Sequence, residues 1–257
     1  MIEAMKTPLA PGTVSRPWGF WTTLAWVALA LLMHEGFSQL ERAVLPGTWL
    51  GKLITDNIVL GALNLVVSWS VPLLVLIVAI RLRNWAVRDY FGWVRPRAGH
   101  VVLGIVLALA IQLAISGILY LLGASWSEAV EQYRADRIAG VSPWIHVLVA
   151  WPAIVCAPIV EESVFRGFLW LGWAQSRLGE LGTLFVGSFV FAAWHIPKAM
   201  EMNVVGGVVM LIQVLLLGLF FSWLRWRTGG TTVGMFAHAT ANLYPPLVGI
   251  AIGALLA

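Results

Sequence analysis

The stretch from Trp144 to Ser176, WIHVLVAWPAIVCAPIVEESVFRGFLWLGWAQS, constrains the fold more than any other. It reads as one long apolar helix with Glu161, Glu162 and Arg166 near its middle. Each such charge at bilayer depth costs about 2.5–3.5 kcal/mol on insertion scales. Three of them within six residues need partners or a purpose. Glu162 and Arg166 are spaced i,i+4 with the acid first, the better orientation for a helical ion pair. Glu161 lies about 100° round the helix from Glu162 and has no opposite charge at helical spacing. The pattern predicts a Glu162–Arg166 pair and a Glu161 aimed elsewhere, toward chemistry.

Composition decides the solvent. At 60% hydrophobic and 11% charged over 257 residues, the chain is far from an ordinary soluble domain, which is about 45–50% apolar and about 25% charged. The fifteen tryptophans suit the membrane–water interfaces where Trp gathers. The fold class expected is all-α: a polytopic membrane helical bundle of about seven to eight transmembrane helices. Residues 1–257 form a single transmembrane domain, with 1–16 as a cytoplasmic N-terminal tail. Lys6 and Arg16 precede the first apolar run as in a signal peptide, but no small-x-small cleavage site follows, so the run is read as a retained span. The single Cys156 excludes an intrachain disulfide, a cysteine-based zinc cluster and an iron–sulfur site. It is expected to be a small core residue.

Spans are expected at about 19–33, 58–80 and 101–122, then the long fourth helix, then about 183–195, 206–223 and 232–256. Pro245-Pro246 should kink or break the last one. Between spans two and three, Arg81, Arg83, Arg88, Arg95 and Arg97 against Asp89 give +4; Arg225 and Arg227 give +2 after span six. The loop carrying Glu128, Glu131, Arg134, Asp136 and Arg137 sums to −1. Positive-inside counting then sets the N terminus in the cytoplasm and the C terminus outside; the membrane expected is the plasma (inner) membrane. The net charge of +4 sits mostly in short loops, which speaks for topology and against nucleic acid as a partner. The arginine stretch is also compatible with contact to anionic lipid.

Two more apolar helices carry groups they should not. Phe191 and His195 are four apart, as are His238 and Asn242, so each pair shares a helix face. Counted from the turn between helices four and five, Glu161 and His195 fall at similar depth. His238 is only about seven residues into its helix and meets them only if that helix tilts or its loop is tucked in. Glu, His, His and Asn suit amide hydrolysis: a carboxylate or imidazole takes a proton from attacking water, and an imidazole and a carboxamide bond the oxyanion.

Together EESVFRG (Glu161 to Gly167), FAAWH (Phe191 to His195) and HATAN (His238 to Asn242) resemble the EExxxR, FxxxH and HxxxN/B motifs of the CPBP intramembrane proteases. That family (CAAX protease / bacteriocin-processing, also ABI) would have its protease core at 143–247. The resemblance implies an intramembrane endopeptidase in which Glu161 with His195 activates water. His238 and Asn242 would hold the oxyanion, and Glu162 with Arg166 would hold the site in shape. Relatives are often named metalloproteases, so Zn²⁺ on Glu161, His195 and His238 stays open. HExxH is absent, and a glutamate-based mechanism without a cofactor is favoured. Implied partners are membrane lipid and a peptide or membrane-protein substrate, CAAX-like or otherwise membrane-associated. The alternatives are a non-proteolytic scaffold or bacteriocin-immunity-type protein, and a small transporter. Asn57, Asn64, Gln112 and Gln213 read as interhelical hydrogen-bonders; His34, His100 and His146 receive no role.

Overall fold

In a computed structural model of the chain, residues 17–121 and 150–255 are described, and they contain helices and no strand. In chain order the helices are α1 (Phe20–Val44), α2 (Trp49–Asp56), α3 (Ile58–Arg81), α4 (Val87–Phe91) and α5 (Ala98–Leu121). Then come α6 (residues 152–174), α7 (Gly179–Trp194), α8 (Ile196–Met200), α9 (Val204–Thr228) and α10 (Thr232–Leu255). Phe20–Val44, Val59–Arg81, Ala98–Leu121 and Val204–Thr228 are long and apolar enough to cross a membrane, and Gly179–Trp194 is a shorter apolar helix. The architecture is a helical membrane bundle. The proposed tail 1–16, the acidic −1 loop and residues 144–149 of the fourth helix lie outside the described residues.

The bundle is organised around α6. Its side chains are buried without a break from 160 to 173. Val160, Val164, Phe165, Phe168, Leu169, Leu171 and Trp173 form the main core with Val27 and Ala30 of α1, Leu76 and Ile80 of α3, Tyr90 and Phe91 of α4, and Phe191 of α7. Gly167 allows a close backbone approach to α4, because a Cβ there would stand 2.8 Å from the Phe91 carbonyl oxygen. Tyr90 is fully buried at this contact; burial raises its phenol above the ordinary value, and its oxygen accepts the Trp18 backbone N–H at 3.1 Å.

Unlike the uniform helix expected, α6 contains two wide π segments, Pro152–Cys156 and Glu162–Leu169, flanking one α turn, Ala157–Glu161. Such π segments cluster at functional sites. Side chains tie this stretch down: Ser163 Oγ donates to Ile159 O at 2.6 Å, and Arg225 Nε donates to Arg166 O at 2.9 Å.

A second core joins α5, α9 and α10 through Ala108, Leu217, Phe221, Leu224, Val233, Ala237 and Ala241. Helices α5 and α10 run parallel: Gly104 faces Val233, Gln112 Nε2 donates to Ala241 O at 3.0 Å, and Tyr244 Oη donates to Ser116 Oγ at 3.0 Å.

Several sequence expectations are corrected here. Span one does not stop at His34; α1 continues to Val44, and His34 packs half-buried against α3 with Nδ1 2.9 Å from Ser68 O. Arg225 is no loop charge. It lies within α9, 3% exposed, with its guanidinium also donating to Gly229 O. Pro245 and Pro246 do not break α10, which runs on to Leu255. Asn57 caps α3 by accepting the Val59 and Leu60 N–H groups, whereas Gln112 and Gln213 do bond across helices, at 2.9 Å. Cys156 is half-buried on α6 and is not a core residue.

Candidate active site

The charged face of α6 meets α9 first. Arg166 is 1% exposed and Glu162 is fully buried, so their charges must be met inside the protein. Arg166 Nη1 donates to Glu162 Oε1 at 3.1 Å, Nη2 to Gly218 O at 2.8 Å and Nε to Ser222 Oγ at 3.3 Å. Its guanidinium carbon also lies 4.3 Å from the centre of the Phe191 ring and 5.5 Å from that of Phe221. Aromatic faces attract a desolvated cation. Gly218 is small for a reason: a Cβ there would come 3.1 Å from Phe191 and 3.4 Å from Arg166 Nη2. Behind it, Ser222 Oγ and Ser188 Oγ are 3.1 Å apart, and Ser188 donates to Leu184 O at 2.6 Å. The predicted ion pair is therefore present, with a cage around it that the sequence reading missed. Lone serines and a glycine inside apolar runs were the available signal.

His238 comes from α10, and its tucked-in loop brings it there. Thr231 is fully buried and bonds Phe91 O and Gly92 O through Oγ1, both at 3.1 Å, and Thr232 Oγ1 donates to Val94 O at 2.7 Å. The start of α10 is thus held against the turn after α4, which carries His238 to the middle of α6. The imidazole stacks on Phe221 at 4.7 Å between ring centres and meets Phe191 edge-on at 6.1 Å.

Both carboxylates of α6 reach this ring. Glu162 Oε1 is 3.1 Å from His238 Nδ1, and Glu161 Oε2 is 3.7 Å from Nε2. The two acids do diverge around the helix, but the ring spans the gap between them. Glu161 stays out of the Glu162–Arg166 ion pair, as the sequence suggested, and faces the other nitrogen of the same histidine. Glu162, paired with Arg166, is an acceptor, so the His238 proton belongs on Nδ1 and Nε2 is turned to Glu161. Glu161 Oε2 and Glu162 Oε2 are buried oxygens with no hydrogen-bond partner among the described residues. Gly234 lines the latter, since a Cβ there would sit 2.9 Å from Glu162 Oε2.

His195 and Asn242 stand at the margins of this cluster. His195 caps α7, half-buried, with Nδ1 2.9 Å from Phe191 O and its ring 4.8 Å from the Phe191 ring. A carbonyl only accepts, so the proton lies on Nδ1 and Nε2 is the open nitrogen. Phe191 thereby contacts both histidines. Asn242, one turn beyond His238, donates to Ala153 O at 2.8 Å and braces α10 against the start of α6. Glu161, Glu162, Arg166 and His238 thus form a direct cluster. His195 joins it through Phe191, and Asn242 through the α10 face.

A zinc ion on Glu161, His195 and His238 would need all three donors within about 2 Å of one point. Among the described residues, no group of three His, Cys, Asp or Glu is placed to hold a metal ion. The donors do not fit such a site in this geometry.

Residues 142–244 match the family model described as type II CAAX prenyl endopeptidase Rce1-like. This stretch contains all three motifs and agrees with the CPBP/CAAX protease resemblance carried by them. No curated protein and no solved structure matches the chain significantly.

Proposed function

We propose, taking the Rce1-like character of residues 142–244 as premise, that the chain is an intramembrane endopeptidase with Glu161 as its general base. One observation supports this above the rest: a buried, unpartnered carboxylate oxygen of Glu161 stands 3.7 Å from His238 Nε2. That separation is too long for a direct hydrogen bond and suits a water donating to both atoms. The water oxygen attacks the scissile carbonyl carbon as Glu161 takes its proton, and Glu161 relays that proton to His238 Nε2, returning to the carboxylate form. Protonated at Nε2, His238 is an imidazolium between two carboxylates and an N–H donor to the oxyanion. Asn242 adds its second amide N–H, the first being held by Ala153 O. His195, with Nδ1 tied down, offers a basic Nε2 to the same proton transfer. The proton then goes to the leaving nitrogen as the C–N bond breaks. Glu162 and Arg166 hold the imidazole and never touch substrate.

The substrates proposed are peptides or proteins at the membrane surface, first among them the CAAX-type lipid-modified tails that the family description names. The membrane proposed is the plasma (inner) membrane, with the N terminus in the cytoplasm.

The test is cleavage of lipidated and unmodified peptide panels by purified protein in liposomes. Glu161→Gln is expected to lose about 10²- to 10⁴-fold, the range for a general base, with His238→Ala comparably impaired. Undiminished turnover by Glu161→Gln sinks the assignment of the base. A folded wild type that cuts no panel member sinks the enzyme. Inhibition by a chelator, reversed by added Zn²⁺, would overturn the metal-free step.

A further inference from the structure

At the end of the bundle where α5 and α10 begin, a cavity of about 220 Å³ is lined by Arg95, Arg97 and His100 together with the Thr228–Gly230 turn, Thr232 and Val233. No carboxylate lines it, and neither guanidinium has an ion-pair partner among the described residues. Because α5 and α10 are parallel, both present their N-terminal, partly positive ends here. Two guanidiniums, an imidazole and two positive helix ends around one small concavity favour an anion with several acceptor oxygens. The cavity borders the most basic stretch of the chain, 81–97. By the positive-inside argument this end faces the cytoplasmic leaflet, where anionic headgroups are concentrated.

We infer that this cavity binds the phosphate headgroup of an anionic phospholipid. Arg95 and Arg97 supply charge and paired N–H donors, and the acyl chains lie along the apolar outer face of α5, where Val102 and Val106 are exposed. Occupation would brace the junction of Gly92, Val94, Thr231 and Thr232 from which α10 carries His238. The inference does not rest on the hydrolytic reading, and its experiment measures binding, so the two can fail separately.

The test is native mass spectrometry of the whole protein released from mixed vesicles of phosphatidylglycerol and phosphatidylcholine, with sn-glycerol 3-phosphate and inorganic phosphate added in separate arms. Wild type is expected to retain phosphatidylglycerol preferentially. Each basic side chain near an anionic surface is worth about fivefold in binding, so Arg95→Gln/Arg97→Gln should lower that preference about 25-fold. Lys198→Gln, at a charge paired with Glu201 elsewhere on the surface, should leave it unchanged. Should the double variant misfold, the single variants and the loss of preference in high salt read the same interaction. An intact double variant with undiminished preference overturns the site, as does equal retention of phosphatidylcholine. Equally tight binding of the water-soluble phosphates without lipid preference overturns the lipid assignment.

Discussion

Helices α5 and α6 invert the rule by which soluble proteins are read. α5 bears no charged side chain, yet its large apolar groups point outward: Val102, Val106, Leu113 and Ile118 are each more than half exposed, while Gly104, Ala108 and Gln112 are buried. In α6 two carboxylates and a guanidinium lie inside, surrounded on all sides. Where lipid is the solvent, hydrophobicity carries no instruction to be buried. Small size and polarity do, because tight packing and hydrogen bonds are what remain to hold helices together.

This contrast can be tested by substitution. Arg166→Met should be the most destabilising change in α6, by about 3–5 kcal/mol, since it strands a buried carboxylate; chemical denaturation in detergent would show it. Adding Glu162→Met should restore much of the loss, and a double variant as weak as the single one would break the comparison. Glu161→Gln, by contrast, should retain stability within about 1 kcal/mol while losing turnover, because its Oε2 satisfies no neighbour. That difference would separate a charge kept for chemistry from one kept for structure. Gly234→Ala should cost about 1–3 kcal/mol by pressing a methyl group on Glu162 Oε2, with a matching fall in turnover. Leu113→Ala on the outward face of α5 should change unfolding by less than about 0.5 kcal/mol. A loss of several kcal/mol there would mean the face is covered by protein.

The sequence displayed the bundle clearly, because long apolar runs can solve the backbone hydrogen-bond problem in lipid in few ways. It also displayed the Glu162–Arg166 pair, which is local and periodic. What it hid was non-local. The meeting of Glu161 with His238 depends on Thr231 and Thr232 reaching carbonyls some 140 residues earlier in the chain. Periodicity has no access to that separation. The cage around Arg166 was equally hidden, since Gly218, Ser188 and Ser222 are unremarkable singly and acquire meaning only opposite the guanidinium. Arg225 misled for another reason. Its place beside Arg227 and two glycines has the composition of a loop, and only the burial of Trp170 and Arg166 O against it reveals a helix-internal cation.

The π segment Glu162–Leu169 has a consequence for how this helix tolerates change. A wide turn holds one residue more than an α turn of equal rise, so the stretch behaves as an α-helix with an insertion absorbed in its middle. Excising a single residue there would let it relax to ordinary winding and rotate the residues on the two sides of the cut relative to each other, swinging Arg166 away from Gly218. Registry along this rod is itself a functional quantity, and length variants of the segment should be silenced where many point substitutions are not.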